Sequence, residues 1–195
     1  DSASNVVSIV LYEDYSCPAC KIFNDANAKN IQTYVEAGAA TLEIHPIEML
    51  YSMNPGIGFS HSGANAAACV ANYSPDSFWL MNETFYSIQP IEEVSGGPSN
   101  AELVEAIAAT GAKNMDKIST CIEKEKFSPW AGKATARALG KKPRVEKPLV
   151  NGTPTVYVNG TLYQGAINNA DEFRMFITQV AGESASTTPA TPAAG

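Results

Sequence analysis

The sequence predicts an α/β fold in which a small sheet domain is interrupted by a helical insertion. Three observations predict it. A β-branched apolar run at residues 6–12 (VVSIVLY) is followed by a helical stretch and a second strand-like run at 41–47 (TLEIHPI). The middle of the chain, 60–140, reads as successive helices. β-patterning then returns at 155–158 (TVYV), with the turn pair Asn159-Gly160 and a return strand at 161–164. The 195 residues suffice for one domain with a real core, or for a small domain with a large insertion.

Residues 6–12 are apolar apart from Ser8, as expected of a strand covered on both faces. Residues 18–36 form the next helix. Pro18 suits its first position, where a missing N–H has no partner to lose, and Gly38 suits its end. Strand 41–47 completes a βαβ unit, for which a parallel, right-handed crossover is the default. Residues 49–58 carry Pro55, Gly56 and Gly58 and read as a loop. Helices follow at 62–73, 75–88, 99–109, 115–126 and 128–139. In the second of these, Phe78, Trp79, Met81, Phe85 and Tyr86 form a broad apolar face with the spacing of a buried stripe. Residues 95–99 are a loop, Ser99 or Asn100 caps the third helix, and 141–147 is a basic, proline-broken linker. The last helix begins at Asn169 or Asp171 and points Phe173, Phe176, Ile177 and Val180 inward. Residues 183–195 are low-complexity and expected to be a disordered tail. The expected division is a split domain at 5–59 and 141–182 around an insertion at 60–140.

The chemistry is concentrated in Cys17-Pro18-Ala19-Cys20, where the first strand meets the first helix. Two cysteines three apart on a first helical turn share a face, and there they can close a small disulfide or release it. The unpaired N–H groups and about half a positive charge at a helix N-terminus favour a thiolate. In such a motif the first cysteine is normally exposed and nucleophilic, and the second is more buried and resolves the mixed disulfide. Following a strand, the spacing reads as a thioredoxin-like redox motif. Zinc binding competes for the same spacing. However, Cys69 and Cys121 stand alone and His45 and His61 are far apart, so a second ligand pair is missing and neither metal nor cofactor is expected. A purely structural bridge within one helical turn would close too short a loop to constrain the chain.

A net charge of −7 argues against nucleic acid and anionic membrane surfaces as partners. No apolar run approaches the ~20 residues of a membrane span. The start, Asp1-Ser2-Ala3-Ser4, is polar, so a signal or anchor is expected to be absent from this chain.

Together these motifs resemble the actinobacterial type of the DsbA family of extracytoplasmic thiol–disulfide oxidoreductases. The similarity rests on EDYSCPAC at 13–20, His45-Pro46-Ile47, the alanine-rich 64–71, Phe78-Trp79 and NGTPTVYVNG at 151–160, and it covers nearly all of 6–181. It implies a thioredoxin-like fold with an inserted helical domain. Cys17 would be the nucleophile, Cys20 the resolving cysteine, Pro154 a cis-proline against the sulfurs rather than an ordinary trans one, and Thr153 its neighbour facing them. Pro18, Ala19, Glu13 and Asp14 would stand around the pair. The implied activity is the introduction of disulfides into unfolded or partly folded exported proteins with free thiols. A membrane reoxidase would restore the disulfide, and the protein would be secreted or attached to the cell envelope. A reductase or isomerase served by a membrane reductase, and a non-catalytic peptide-binding or chaperone module, are alternatives on the same fold. The exported context also favours a structural Cys69–Cys121 disulfide over two buried free thiols.

Two departures from that family bear on the redox potential. Many relatives place a histidine between the cysteines, where this chain has Ala19. Many also carry a buried glutamate six residues before the first cysteine, as a proton relay for the resolving thiol; here the slot is Leu11. Glu13 or Asp14 substitutes only if the strand points one of them inward, the other reading being solvated loop acids. His45, mid-strand, and His61, in a Ser/Gly-rich loop, lack metal-ligand spacing and read as structural or surface residues. The Asn-x-Ser/Thr sequons at Asn72, Asn82, Asn151 and Asn159 read as chance matches.

Overall fold

The computed structural model of the chain describes residues 6–90, 96–140 and 150–186. The expected linker at 141–147, residue 95 of the expected loop and the tail beyond 186 lie outside the described residues.

β1 (Val7–Glu13), α1 (Pro18–Glu36) and β2 (Ala40–Pro46) form the crossover. The two strands are parallel, in register from Val7↔Ala40 to Glu13↔Pro46. Gly38, at φ 68, turns the chain out of α1 in a conformation that a side chain would resist. β3 (Thr155–Val158) and β4 (Thr161–Leu162) make a hairpin. Its turn residues, Asn159 and Gly160, sit at φ 47 and 78, the left-handed geometry that matches strand twist. The sheet order is β2-β1-β3-β4, with β3 antiparallel to β1. α1 and α8 (Ala170–Ser186) pack on this sheet through Ile9, Leu11, Phe23, Val158, Phe173 and Ile177. Each such side chain contributes ~1.5–3 kcal/mol on burial.

The helices between β2 and β3 are α2 (Met49–Met53), α3 (Gly58–Tyr73), α4 (Phe78–Ser87), α5 (Asn100–Ala109), α6 (Met115–Glu123) and α7 (Ser128–Ala138). α3 is central and packs against α2, α4, α5, α6 and α7. Ala64, Ala66 and Ala67 on it are fully buried, and their small side chains admit the neighbouring helices closely. A Cys69–Cys121 disulfide joins α3 to α6 across a sequence separation of 52. The Cys17–Cys20 turn belongs to this helical core rather than to that of the sheet. Tyr15, Cys17 and Cys20 pack with Phe59, Met81, Phe85 and Tyr86.

Several elements differ from expectation. The loop expected at 49–58 contains α2, and α3 starts at Gly58 rather than residue 62, so His61 is helical. Long-range contacts override the Pro/Gly signals there: the Leu50 N–H donates to Asp14 Oδ2 at 2.9 Å, and Ser60 Oγ does so at 2.8 Å. The return strand is only Thr161–Leu162. Helix α8 continues to Ser186, so residues 183–186 of the expected tail are helical; extending a formed helix adds a bond per residue fixed. Of the aromatic stripe, Met81, Phe85 and Tyr86 are buried, whereas Phe78 and Trp79 are only partly so.

Candidate active site

β1 ends at Glu13, and residues 14–17 turn the chain into α1. The Cys17 N–H closes that turn on the Asp14 carbonyl at 2.9 Å. Cys17 then serves as the N-cap of α1, with Pro18 at its first turn. The Cys17 carbonyl accepts the N–H groups of Cys20 (3.1 Å) and Lys21 (3.2 Å), which are the first bonds of the helix. This places both sulfurs at the positive end of α1. Cys17 and Cys20 are free thiols.

Thr153 and Pro154 reach the same place from the other end of the chain. Their peptide bond is cis, and the Cys17 thiol donates to the Thr153 carbonyl at 3.2 Å. Cys17 was expected to be exposed. Its side chain is instead 7% exposed, because the sulfur turns under residue 153. Cys20 lies deeper, at 1%. The two thiols titrate in opposite directions. The neighbouring Cys20 thiol, the Thr153 hydroxyl and the N–H groups of Cys20 and Ala19 hold Cys17 down at about 6 against the desolvation of the site. Burial, followed by the Cys17 thiol beside it, pushes Cys20 well above the ordinary thiol value.

The two acids before the motif are both buried, Glu13 at 1% and Asp14 at 0% exposure, and not solvated. Their roles diverge. Asp14 is a clamp. Its carboxylate accepts the N–H groups of Ser16 and Leu50 and the Ser60 hydroxyl, tying the Asp14–Cys17 turn to α2 and α3. Glu13 Oε1 and the Tyr86 hydroxyl have no hydrogen-bond partner among the described residues. Burial raises Glu13 to about 8, moderated by the nearby Tyr86 and Asn82 side chains. Glu13 also contributes, as the smallest of the named causes, to the rise at Cys20. Leu11 is a core residue of the sheet, at 4% exposure.

Sequence reasoning did not find Tyr15, Asn82 or Gln89. The Tyr15 hydroxyl donates to Asn82 Oδ1 at 2.7 Å, and its ring packs so closely on α3 that a Cβ at Gly63 would come within 2.8 Å of it. Gln89 donates to the Tyr15 and Cys17 carbonyls. All three act across more than sixty residues of chain, and no local pattern marks them. The histidines are engaged elsewhere: His61 Nδ1 lies 2.6 Å from Glu48, and His45 Nε2 lies 2.7 Å from Glu43. No group of three or more His, Cys, Asp or Glu among the described residues is placed to hold a metal ion.

Comparison with known proteins gives a consistent picture. The family model described as Thioredoxin matches residues 2–179. The chain is 28% identical over 154 residues to disulfide bond formation protein D of Bacillus subtilis, covering 78% of this chain and 63% of that protein. It therefore spans less than two thirds of that relative's length. Among solved structures it resembles the reduced disulfide bond oxidoreductase DsbG of Mycobacterium tuberculosis, with a TM-score of 0.74 and 26% identity over 95% of this chain and 86% of that one. It resembles oxidised DsbA of the same organism with a TM-score of 0.73 and 28% identity, over 93% and 90% of the two chains.

Proposed function

The chain belongs to the thioredoxin family, on its DsbA side, and from that premise we propose that it is an extracytoplasmic thiol–disulfide oxidoreductase that introduces disulfides into exported proteins. The observation that carries the reading is the pair of sulfurs at the α1 N-terminus, with Cys17 against Thr153 and held low, and Cys20 buried and held high. In the oxidised form a substrate thiolate attacks the Cys17 sulfur, and Cys20 leaves. Cys20 needs a proton at neutral pH, and Glu13 is the nearby group that holds one. A second substrate thiolate then attacks the substrate sulfur of the mixed disulfide. Cys17 departs as a thiolate, and its low titration makes it a good leaving group. The substrate gains a disulfide and the enzyme is left as the dithiol, which a membrane reoxidase returns to the disulfide. The Cys69–Cys121 bridge supports an oxidising compartment, where such bonds persist.

Mixing the oxidised protein with a reduced, unfolded, two-cysteine substrate tests this reading. One substrate disulfide should form per enzyme reduced, and Cys17→Ser and Cys20→Ser should each abolish transfer, since neither variant can hold the bridge that the substrate thiolate attacks. A redox potential at or below that of thioredoxin, about −270 mV, together with rapid insulin reduction, would assign the reverse direction instead. Transfer that survives Cys17→Ser would remove the assignment of the nucleophile.

A further inference from the structure

Gln89 follows the C-terminal end of α4, in the helical insertion, yet its side chain ends in the redox turn. Its Nε2 donates to the Tyr15 carbonyl at 2.7 Å and to the Cys17 carbonyl at 3.1 Å. A primary amide has two N–H groups, and here each has a carbonyl. The Cys17 carbonyl already receives the first two helical bonds, from Cys20 and Lys21. Gln89 thus adds a third donor to the acceptor that defines the start of α1, and it braces the residue two positions earlier with the same group.

We propose that Gln89 is a positioning residue of the redox turn, whose two amide donors hold the Tyr15 and Cys17 carbonyls and so fix the Cys17 sulfur beneath the first turn of α1 and against Thr153. The proposal rests on the thiol–disulfide reading of this site. The physical route is short. The turn from Asp14 to Cys17 is held at its start by the Asp14 carboxylate and at its end by the helix, and Gln89 is the brace from the insertion side. Without the brace the turn can tilt, and the sulfur drifts from the N–H groups of Ala19 and Cys20. The positive end of the amide dipole is also lost from beside Cys17. Both effects disfavour the thiolate.

The test titrates the Cys17 thiolate by ultraviolet absorbance in the full chain and in two variants. Gln89→Met keeps the length and removes the donors. Gln89→Glu keeps the shape and replaces the donors with acceptors. Both should raise the Cys17 midpoint by about half a unit or more, a roughly threefold fall in the thiolate-to-thiol ratio at fixed pH. Equilibration with glutathione should shift toward the disulfide by the same factor. Gln89→Glu should shift further, since two oxygens then face two carbonyls. A merely structural role would lower the melting temperature and leave both readouts unmoved. Should Gln89→Met fail to fold, Gln89→Asn, which keeps the donors but is one methylene too short to span both carbonyls, carries the same expectation. An unmoved midpoint in folded variants overturns the role of Gln89 while leaving the redox reading intact. A wild-type protein without a low Cys17 titration sinks that reading itself.

Discussion

Between the redox sulfurs, Ala19 offers neither charge nor a side-chain donor, so Cys17 is held low by Cys20, Thr153 and backbone N–H groups. Ala19→His should lower its titration further and raise the redox potential, each ~30 mV corresponding to about 1.4 kcal/mol of preference for the dithiol. Thiolate absorbance against pH, with glutathione equilibration, measures both; no change in either would mean that a side chain at 19 points away from the sulfur. Glu13 makes the opposite demand. Its unfolded value is 4.5 and its folded value about 8, so the folded state holds the proton more tightly. Its burial therefore costs nothing below about pH 4, costs progressively more as pH rises to about 8, and is constant beyond. Glu13→Gln should be more stable than the parent by roughly a few kcal/mol at pH 8 and equally stable near pH 4, by denaturant unfolding. Equal stability at both would show that the carboxyl reaches water. Cys17 and Cys20 stood out as a short pattern, and Thr153 and Pro154 entered through the resemblance carried by 151–160; the structure sets Cys17 against Thr153. The separate uses of Glu13 and Asp14 were not legible, since adjacent residues on one chain reveal nothing about which groups wait across the core.

The elements were legible where periodicity is strong and less so where they are short. α1 and α5 carry their own signals, Pro18 for one and the Ser99–Glu102 capping box for the other. Ser99→Ala removes the hydroxyl that accepts the Glu102 N–H, leaves the Ser99 N–H bond to the Glu102 carboxylate in place, and should lower stability by about 1 kcal/mol, read from the melting curve. The start of α3 and the whole of α2 lack such signals, because the partners of their N–H and hydroxyl groups lie on Asp14, far back in sequence. The α3–α6 bridge makes a separate expectation. Its 52-residue loop corresponds to roughly 4 kcal/mol of chain entropy removed from the unfolded state. Replacing Cys69 and Cys121 together by alanine should lower stability by about that amount and leave the Cys17 titration in place. Thiol counting on the native protein under mild reductant should find two thiols, and four after denaturation with strong reductant. Four under native conditions would mean that the bridge is as labile as the redox pair.

For the molecule as a whole, alternation of strand and helix patterns was enough to read a mixed α/β fold with strands at both ends of a run of helices. What it did not reveal is that the redox turn shares a core with the insertion, through Tyr15, Phe59, Phe85 and Tyr86. The net charge of −7 acts at this scale too. Basic unfolded substrates should be oxidised faster than acidic ones of equal thiol reactivity, and the gap should close with salt as the screening length falls to about 10 Å at 0.1 M. The surroundings of Cys17 have one more consequence. Helix end, neighbouring thiol and residue 153 meet only in the folded chain; unfolded, the same thiol returns to about 9. Folding therefore favours the dithiol. Around the closed cycle of oxidised and reduced, folded and unfolded chains, that preference must reappear as a difference in melting. The reduced protein should melt above the oxidised one, with the thiolate contribution full above about pH 9 and gone below about 6. The molecule is then a spring cocked by its own bridge, and giving that bridge to another chain lets it settle.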